Sequence, residues 1–185
     1  MRKAIRNLPA GHPMPFRGVN YPLEIRQSMN KPQVTITGGK LLVNFYQEHP
    51  TVPVQLPLVK WYRRQAQQYI MPRAAYWADE MGLTFNKIFI KDQDSRWGSC
   101  SSLKNLNFNW RIIMAPDGVI DYLLIHELAH LREMNHSPAF WQLVGRYDPD
   151  YKLHRQWLRD NGQALFLLLP KLPLALLNAV YFHVE

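Results

Sequence analysis

The stretch HELAHLREMNH at residues 126–136 places three imidazoles and one carboxylate close together in the chain. Side chains four residues apart share one face of a helix, so the rings of His126 and His130 can bind one metal ion. Residues 119–131 are apolar on nearly every side, so this helix is expected to be buried, where imidazole and carboxylate groups need partners. A metal ion supplies those partners, and the stretch therefore predicts a buried helix with a zinc-binding face.

The third histidine of the stretch, His136, is followed by Ser137 and Pro138, which are typical of the N-cap and the first position of a new helix. His136 is thus expected in a turn between two helices, from which it can reach the metal and leave a fourth position for water. Glu127 projects about 100° around the helix from His126 and would hold this water as a general base. The alternative is three core or surface histidines on an ordinary amphipathic helix, in which each buried group needs some other partner.

Composition bounds the class of protein. A chain of 185 residues is long enough for one domain with its own core. Its 22 Lys+Arg against 14 Asp+Glu give a formal charge of +8, which favours anionic partners such as nucleic acid, nucleotides, acidic peptides or anionic lipid. Many basic proteins have no such partner, so the charge alone is a weak guide. The single cysteine, Cys100, excludes an internal disulfide framework and predicts a reducing compartment, the cytoplasm.

The two ends of the chain differ from its middle. Residues 1–15 carry prolines and basic residues without periodicity, which predicts a loose arm. They contain no continuous apolar segment that would indicate a secretory signal. Residues 166–185 are predicted to form an apolar tail that either packs on the domain or is poorly ordered. Because Pro170, Lys171 and Pro173 interrupt it, no membrane-spanning helix is expected.

Between the ends, residues 16–165 are predicted to form one α+β domain. Alternating apolar residues predict a small antiparallel meander from Gly18 to Phe45, with a turn at the glycines 38–39. Helical spacing predicts one long helix over residues 57–81, kinked or divided near Pro72.

The second half of the domain is predicted to hold a strand pair beside the metal-binding helix. Alternation predicts strands from Leu83 to Ile90 and from Leu106 to Met114, joined by a loop that includes SRWGSCSS. Asp117 is the expected N-cap of the helix that carries HELAH. A further helix is expected to open at Asp148-Pro149 and to close at Gly162.

A second group of polar residues lies among aromatics in the loop 95–100 and the strand that follows it. Gly98 is expected to adopt a special backbone angle in a tight turn, with Trp97 packed on the helix. Arg96 and Arg111 are predicted either to clamp backbone carbonyls or to hold an anionic group of a substrate. The candidates for substrate binding or structural support are Arg96, Trp97, Asn109 and Arg111.

Four motifs in this order resemble the YgjP-like metallopeptidase family, which is grouped with the WLM and SprT-like zinc peptidase folds. They are SRWGSC, NFNWR, DYLLIHELAHLREMNHSPAFW and the later Trp157-Leu158. The resemblance extends from about Arg17 to about Leu165 and implies a small zincin-like domain. Metzincins share the spacing of the histidines, but Glu133 replaces the glycine of their motif, so this chain is not interpreted as a metzincin.

The resemblance implies that zinc is held by His126, His130 and His136 and that Glu127 is catalytic. The leading hypothesis is a zinc metallopeptidase whose extended peptide substrate adds to an edge strand, Leu106 to Met114. No oxyanion-stabilising group and no oligomeric state are predicted.

Two alternatives remain open. The same site could hydrolyse a nucleoside triphosphate such as UTP to release pyrophosphate, with Arg96, Arg111 or Lys104 clamping phosphates, although no glycine-rich phosphate loop is present. A DNA-associated, SprT-like protease is the other. Basic and aromatic residues at 60–64 could contact nucleic acid weakly, or could be a solvated helix face with Trp61 and Tyr62 turned inward.

Overall fold

The computed structural model describes residues 8–28, 32–46, 54–169 and 171–172. The strands in these ranges are β1 (Pro13–Phe16), β2 (Val19–Ser28), β3 (Gln33–Thr37), β4 (Lys40–Tyr46), β5 (Ile88–Lys91), β6 (Gly98–Cys100) and β7 (Leu106–Asn109). The helices are α1 (Gln55–Glu80), α2 (Asp117–Ala129), α3 (Pro138–Tyr147) and α4 (Tyr151–Leu168), with a 3₁₀ helix at Trp110–Met114. The predicted α+β class is confirmed.

The N-terminal sheet has the strand order β1-β2-β4-β3. The β3–β4 hairpin turns at Gly38 and Gly39, which have φ angles of 55° and 71° that glycine adopts readily, as predicted. The prediction of an antiparallel meander is wrong for β2 and β4, which pair in parallel. Alternation locates a strand but does not identify its partner. Strand β4 lies between β2 and β3, and its residues 41–43 are buried on both faces, as is typical of an interior strand.

The predicted loose arm is wrong for residues 13–15, which belong to β1. Met14 is fully buried, and this segment is tied to β2 by a hydrogen bond from the Gly11 amide to the Leu23 carbonyl at 2.7 Å. The hydroxyl of Tyr62 in α1 also donates to the Pro15 carbonyl at 2.9 Å. Residues 1–7 of the predicted arm lie outside the described ranges.

Helix α1 is continuous and is not divided at Pro72. Pro72 is exposed, so the carbonyl of residue 68 that loses its helical partner can bond water instead. The buried face of α1 packs on the 3₁₀ helix and on α2. Asp121 of α2 accepts hydrogen bonds from Arg73 at 2.7 Å and from Trp77 at 3.0 Å, which fixes α1 against α2.

The second sheet has the order β5-β7-β6, with β5 parallel and β6 antiparallel to the central β7. The predicted strand Leu106 to Met114 ends at Asn109, because the run that follows is buried without alternation and forms the 3₁₀ helix. Of the predicted strand Leu83 to Ile90, only the last residues belong to β5. The predicted loop between these strands contains β6, whose three residues are too few to show a pattern.

Two helix boundaries differ from the predictions. Helix α2 has Pro116 rather than Asp117 at its N-cap, and Asp117 instead accepts a hydrogen bond from Arg17 at 2.8 Å. Helix α4 does not close at Gly162 and continues to Leu168.

The described start of the predicted tail packs on the domain. Leu169 and Leu172 are buried, and the carbonyl of Leu169 accepts a hydrogen bond from Arg111 at 2.9 Å. Among the described helices, none has the length and apolarity needed to cross a membrane.

Candidate metal centre

The structure brings His126, His130 and His136 together. His126 lies in the last turn of α2, His130 is its C-cap, and His136 lies in the turn before α3. Helix α3 opens with Ser137 as its N-cap, whose side chain accepts a hydrogen bond from the amide of Phe140 at 3.2 Å. This turn directs His136 back to α2, so that its Nε2 lies 3.1 Å from Nε2 of His126.

Neighbouring groups orient two of these rings. Nδ1 of His130 lies 3.1 Å from the carbonyl oxygen of Glu133, and Nδ1 of His126 lies 3.5 Å from the hydroxyl of Tyr122. Partners at Nδ1 make Nε2 the nitrogen that these rings offer to a metal. Sequence reasoning missed Tyr122, although it precedes His126 by four residues and therefore shares its helix face.

Aromatic side chains of α3 form a wall beside the histidines. The ring centroids of Phe140 and His130 are 4.6 Å apart, and Phe140 is fully buried. Trp141 stacks on His136 at a centroid distance of 5.6 Å and an interplanar angle of 23°. Sequence reasoning missed this wall as well, since two aromatics in an amphipathic helix give no signal beyond ordinary core packing.

The three histidines fit a metal ion. Their ligand nitrogens all lie within 4.8 Å of one another, and two nitrogens bound tetrahedrally at zinc–nitrogen distances would be roughly 3.3 Å apart. Burial, and then the charges of His130 and His136, lower the pKa of His126 to about 3. Its imidazole is therefore neutral near pH 7, which is the form that binds a metal.

Glu127 is buried, with 5% of its surface exposed, and this burial raises the pKa of its carboxyl to about 8. It lies against β6, where a Cβ added to Gly98 would be 2.5 Å from Oε1 of Glu127. The prediction of a special backbone angle at Gly98 is wrong, since its φ is not positive. Glycine is needed there to let the carboxylate approach the strand. Burial, followed by the charge of Glu127, also raises the pKa of the Cys100 thiol.

Asn109 and Arg111 are buried and hold the loop before β6 in place. The amide of Asn109 donates to the carbonyls of Gln93 at 2.8 Å and Arg96 at 3.2 Å. Arg111 is 2% exposed and donates to Asp92 at 2.6 Å as well as to the Leu169 carbonyl. These are the contacts of a structural clamp on carbonyls, the first of the two predicted roles of Arg111.

The other two candidates of this group differ from each other. Arg96 is exposed. Trp97 packs on helix α4. Its ring centroid lies 4.5 Å from that of Phe166, and a Cβ on Gly162 would come within 3.1 Å of its indole. The absence of a side chain at Gly162 therefore leaves room for the indole of Trp97 to pack on α4.

The basic and aromatic run at 60–64 has its rings inside the protein. Trp61 is 7% exposed and Tyr62 is fully buried, whereas Arg64 is exposed. These two rings are not available to stack on bases, which matches the interpretation of this run as a solvated helix face.

The YgjP-like family model, described as a metallopeptidase domain, matches residues 1–161. The chain belongs to this family. The resemblance derived from the four motifs is confirmed, and the YgjP-like match includes the segment 1–15 and stops before residues 162–185.

Three individual proteins are similar to this YgjP-like chain. The UTP pyrophosphatase of Escherichia coli strain K12 is 43% identical over 37 residues, which are 20% of this chain and 22% of that protein's length. The crystal structure of the metallopeptidase zymogen of Pyrococcus abyssi abylysin is 21% identical, covers 51% of this chain and 93% of its own, and has a TM-score of 0.45. That of Methanocaldococcus jannaschii jannalysin is 21% identical, covers 45% and 90%, and has a TM-score of 0.39.

Proposed function

We propose that this protein is a zinc-dependent metallopeptidase in which His126, His130 and His136 bind zinc and Glu127 is the general base. The observation that carries this proposal is the convergence of three imidazoles, one of them on α2 directly before the buried carboxylate of Glu127. The family to which the chain belongs supports it. Three imidazole ligands suit zinc and, in a catalytic site, leave one coordination position open.

When bound, zinc would supply a Lewis acid that lowers the pKa of a water molecule and polarises the carbonyl oxygen of the scissile bond. Glu127 accepts the proton of the attacking water at a carboxylate oxygen and passes it to the leaving nitrogen. Burial alone favours the protonated form of Glu127. A cation held beside it lowers its pKa again, so that the carboxylate can act as a base near pH 7.

The edge of the second sheet suits a peptide substrate. Strand β6 pairs with β7 on one side, and in the sheet that the structure describes it is an end strand, adjacent to Glu127. An extended peptide can add to such an edge through backbone hydrogen bonds. The sequence pattern assigned this role to the strand beginning at Leu106, which is wrong because β7 lies in the centre of the sheet.

Hydrolysis of a nucleoside triphosphate is a second candidate, favoured by the similarity of 37 residues to a UTP pyrophosphatase. Of the residues predicted to clamp phosphates, Arg111 is already committed to Asp92 and to the Leu169 carbonyl. Arg96 and Lys104 are exposed, so the preference for a peptide substrate rests on the chain's own family, a metallopeptidase domain. A DNA-associated protease has less support, because Trp61 and Tyr62 are buried.

The test compares wild type with His130→Ala, and uses His12→Ala, just before β1, as a control histidine. Each is stripped of metal, loaded with zinc, and given a peptide library and a set of nucleoside triphosphates in parallel. We expect zinc-dependent peptide cleavage by wild type and His12→Ala, and none by His130→Ala, which loses a ligand. Zinc at a hundredfold excess over its Kd should also stabilise wild type by about 2.7 kcal/mol, and His130→Ala much less.

Pyrophosphate release without peptide cleavage would replace the peptidase proposal with the nucleotide one. Equal zinc binding by wild type and His130→Ala would contradict the metal site itself.

A further inference from the structure

A cleft of about 390 Å³ lies beside the metal centre, between α3 and the first half of α4. It is lined by Trp141, Tyr151, Lys152, Arg155, Gln156 and Arg159. Trp141 joins this cleft to the metal centre, because it stacks on His136 and also on Tyr151 at a centroid distance of 5.3 Å. A molecule bound in the cleft would therefore be separated from His136 by the ring of Trp141.

The cleft is basic. Lys152, Arg155 and Arg159 follow one another at spacings of three and four residues, so they share one face of α4. All three are exposed, and within the part of the chain that the structure describes none of them forms an ion pair with a carboxylate. Three cations on one face of α4 without carboxylate partners create a positive potential that attracts an anion, although Arg159 donates a hydrogen bond to the side chain of Gln156.

Arg155 lies over Trp141, the ring that stacks on His136. Its Cζ atom lies 4.7 Å from the centroid of a Trp141 ring, which fixes the guanidinium over the aromatic stack. Arg155 is therefore separated from the proposed metal ligand His136 by the ring of Trp141.

We propose that Arg155 and Arg159 bind a carboxylate of the substrate, so that the enzyme prefers peptides with an acidic group close to the cleaved bond. This inference rests on the proposed peptidase function, because carboxylates are the anions that a peptide carries. The guanidinium fork matches a carboxylate in two parallel hydrogen bonds, which a lysine cannot provide. The carboxylate belongs either to an Asp or Glu side chain or to the C-terminus of the peptide.

The activity test uses matched peptides that differ by one group: Glu against Gln at each position around the cleaved bond, and a free against an amidated C-terminus. For zinc-loaded wild type we expect the acidic member of one pair to have the higher kcat/KM. In Arg155→Gln that ratio should fall by roughly threefold to tenfold, as for the loss of one charge-assisted contact at an exposed site. In Arg155→Glu the preference should reverse toward the matching Lys peptide.

Lys87→Gln is the matched control, since it also removes one exposed positive charge but lies just before β5, at the far edge of the sheet from β6. It should keep the wild-type ratio. The pair of peptides that shows the effect tells whether a side chain or the C-terminus supplies the carboxylate. A ratio of one in wild type, or a ratio unchanged in Arg155→Gln, would overturn the proposal.

A binding measurement separates this proposal from the peptidase function. In the zinc-loaded Glu127→Gln protein, fluorescence anisotropy with labelled Glu and Gln peptides reports affinity without turnover. We expect the Glu peptide to bind more tightly, and the difference to shrink by roughly threefold to tenfold when Arg155→Gln is added. Peptide cleavage without this difference would refute the carboxylate site and leave the peptidase proposal standing. The difference without any cleavage by wild type would do the reverse.

Discussion

Glu127 occupies a position that opposes its own charge, because it is buried on α2 and its pKa is raised to about 8. A buried carboxyl is costly unless something nearby stabilises it. The three imidazoles on the same helix and in the following turn can place a cation beside it. This cost is understandable if the side chain is kept for chemistry rather than for stability.

Gly98 sets how closely β6 approaches this carboxylate. In Gly98→Ala the added Cβ would lie 2.5 Å from Oε1 of Glu127, so the carboxylate has to move. We expect the rate of peptide cleavage to fall by roughly a hundredfold, as for a misplacement of about 1 Å. Zinc content, measured by elemental analysis, should stay at the wild-type level because no ligand is changed.

The control for this change is Ser99→Ala, the next residue of β6, whose side chain projects from the opposite face of the sheet. It removes one hydrogen bond from Asn107 at 3.1 Å but does not approach Glu127. Activity of Gly98→Ala equal to that of Ser99→Ala would show that the contact between β6 and Glu127 does not matter.

At the scale of single elements, the 3₁₀ helix follows β7 in the chain, and its Arg111 contacts the end of α4. Arg111 is its clamp, buried against Trp110 with its Cζ 4.2 Å from the ring centroid, and bonded to Asp92 and to the Leu169 carbonyl. Burial lowers the pKa of its guanidinium, and the hydrogen bond that it donates to Asp92 partly offsets this effect. The clamp fixes the loop that leads into β6.

Arg111→Met should therefore destabilise the protein by about 3 kcal/mol, because it leaves Asp92 and a buried carbonyl without their main donor. Urea unfolding of the metal-free protein measures this change. Arg63→Met is the control, since Arg63 lies 3.7 Å from the same carboxylate with an exposed side chain and should cost at most about 1 kcal/mol. Equal losses for the two variants would mean that Arg111 is not a buried clamp.

The elements that could be predicted from the sequence are those encoded by neighbouring residues. The spacing of His126 and His130 and the Ser137-Pro138 cap are local, and the structure has a helix at each. The partner of a strand is not local, so the parallel pairing of β2 with β4 and the central place of β7 were missed. The sequence predicts a turn at Gly98, but glycine is needed there because the side chain of Glu127, which is distant in the sequence, packs against it.

At the scale of the whole molecule, α2 lies where four other elements meet. Helix α2 packs on α1, α3, α4 and β6, and each contributes something to the site or to its support. Two of these, α3 and β6, supply an aromatic wall and an open strand edge. The basic face of α4 lies behind the wall, at Trp141 and Arg155.

The sequence could not assign the whole-molecule role of the segment after residue 165. Its apolar composition predicts a tail that either packs on the domain or is poorly ordered, and the burial of Leu169 and Leu172 shows that its described start packs on the domain. The buried guanidinium of Arg111 that needs the Leu169 carbonyl lies 58 residues earlier, and no pattern in either segment links the two.

The central claim is that Glu127 is the base of a zinc peptidase, and the most direct measurement is the rate of peptide cleavage by zinc-loaded wild type and zinc-loaded Glu127→Gln at matched metal content. Glutamine keeps the size of the side chain but cannot accept the proton. We predict that Glu127→Gln retains zinc and cleaves the same peptide at least roughly a thousandfold more slowly. Equal rates for the two proteins would contradict the account.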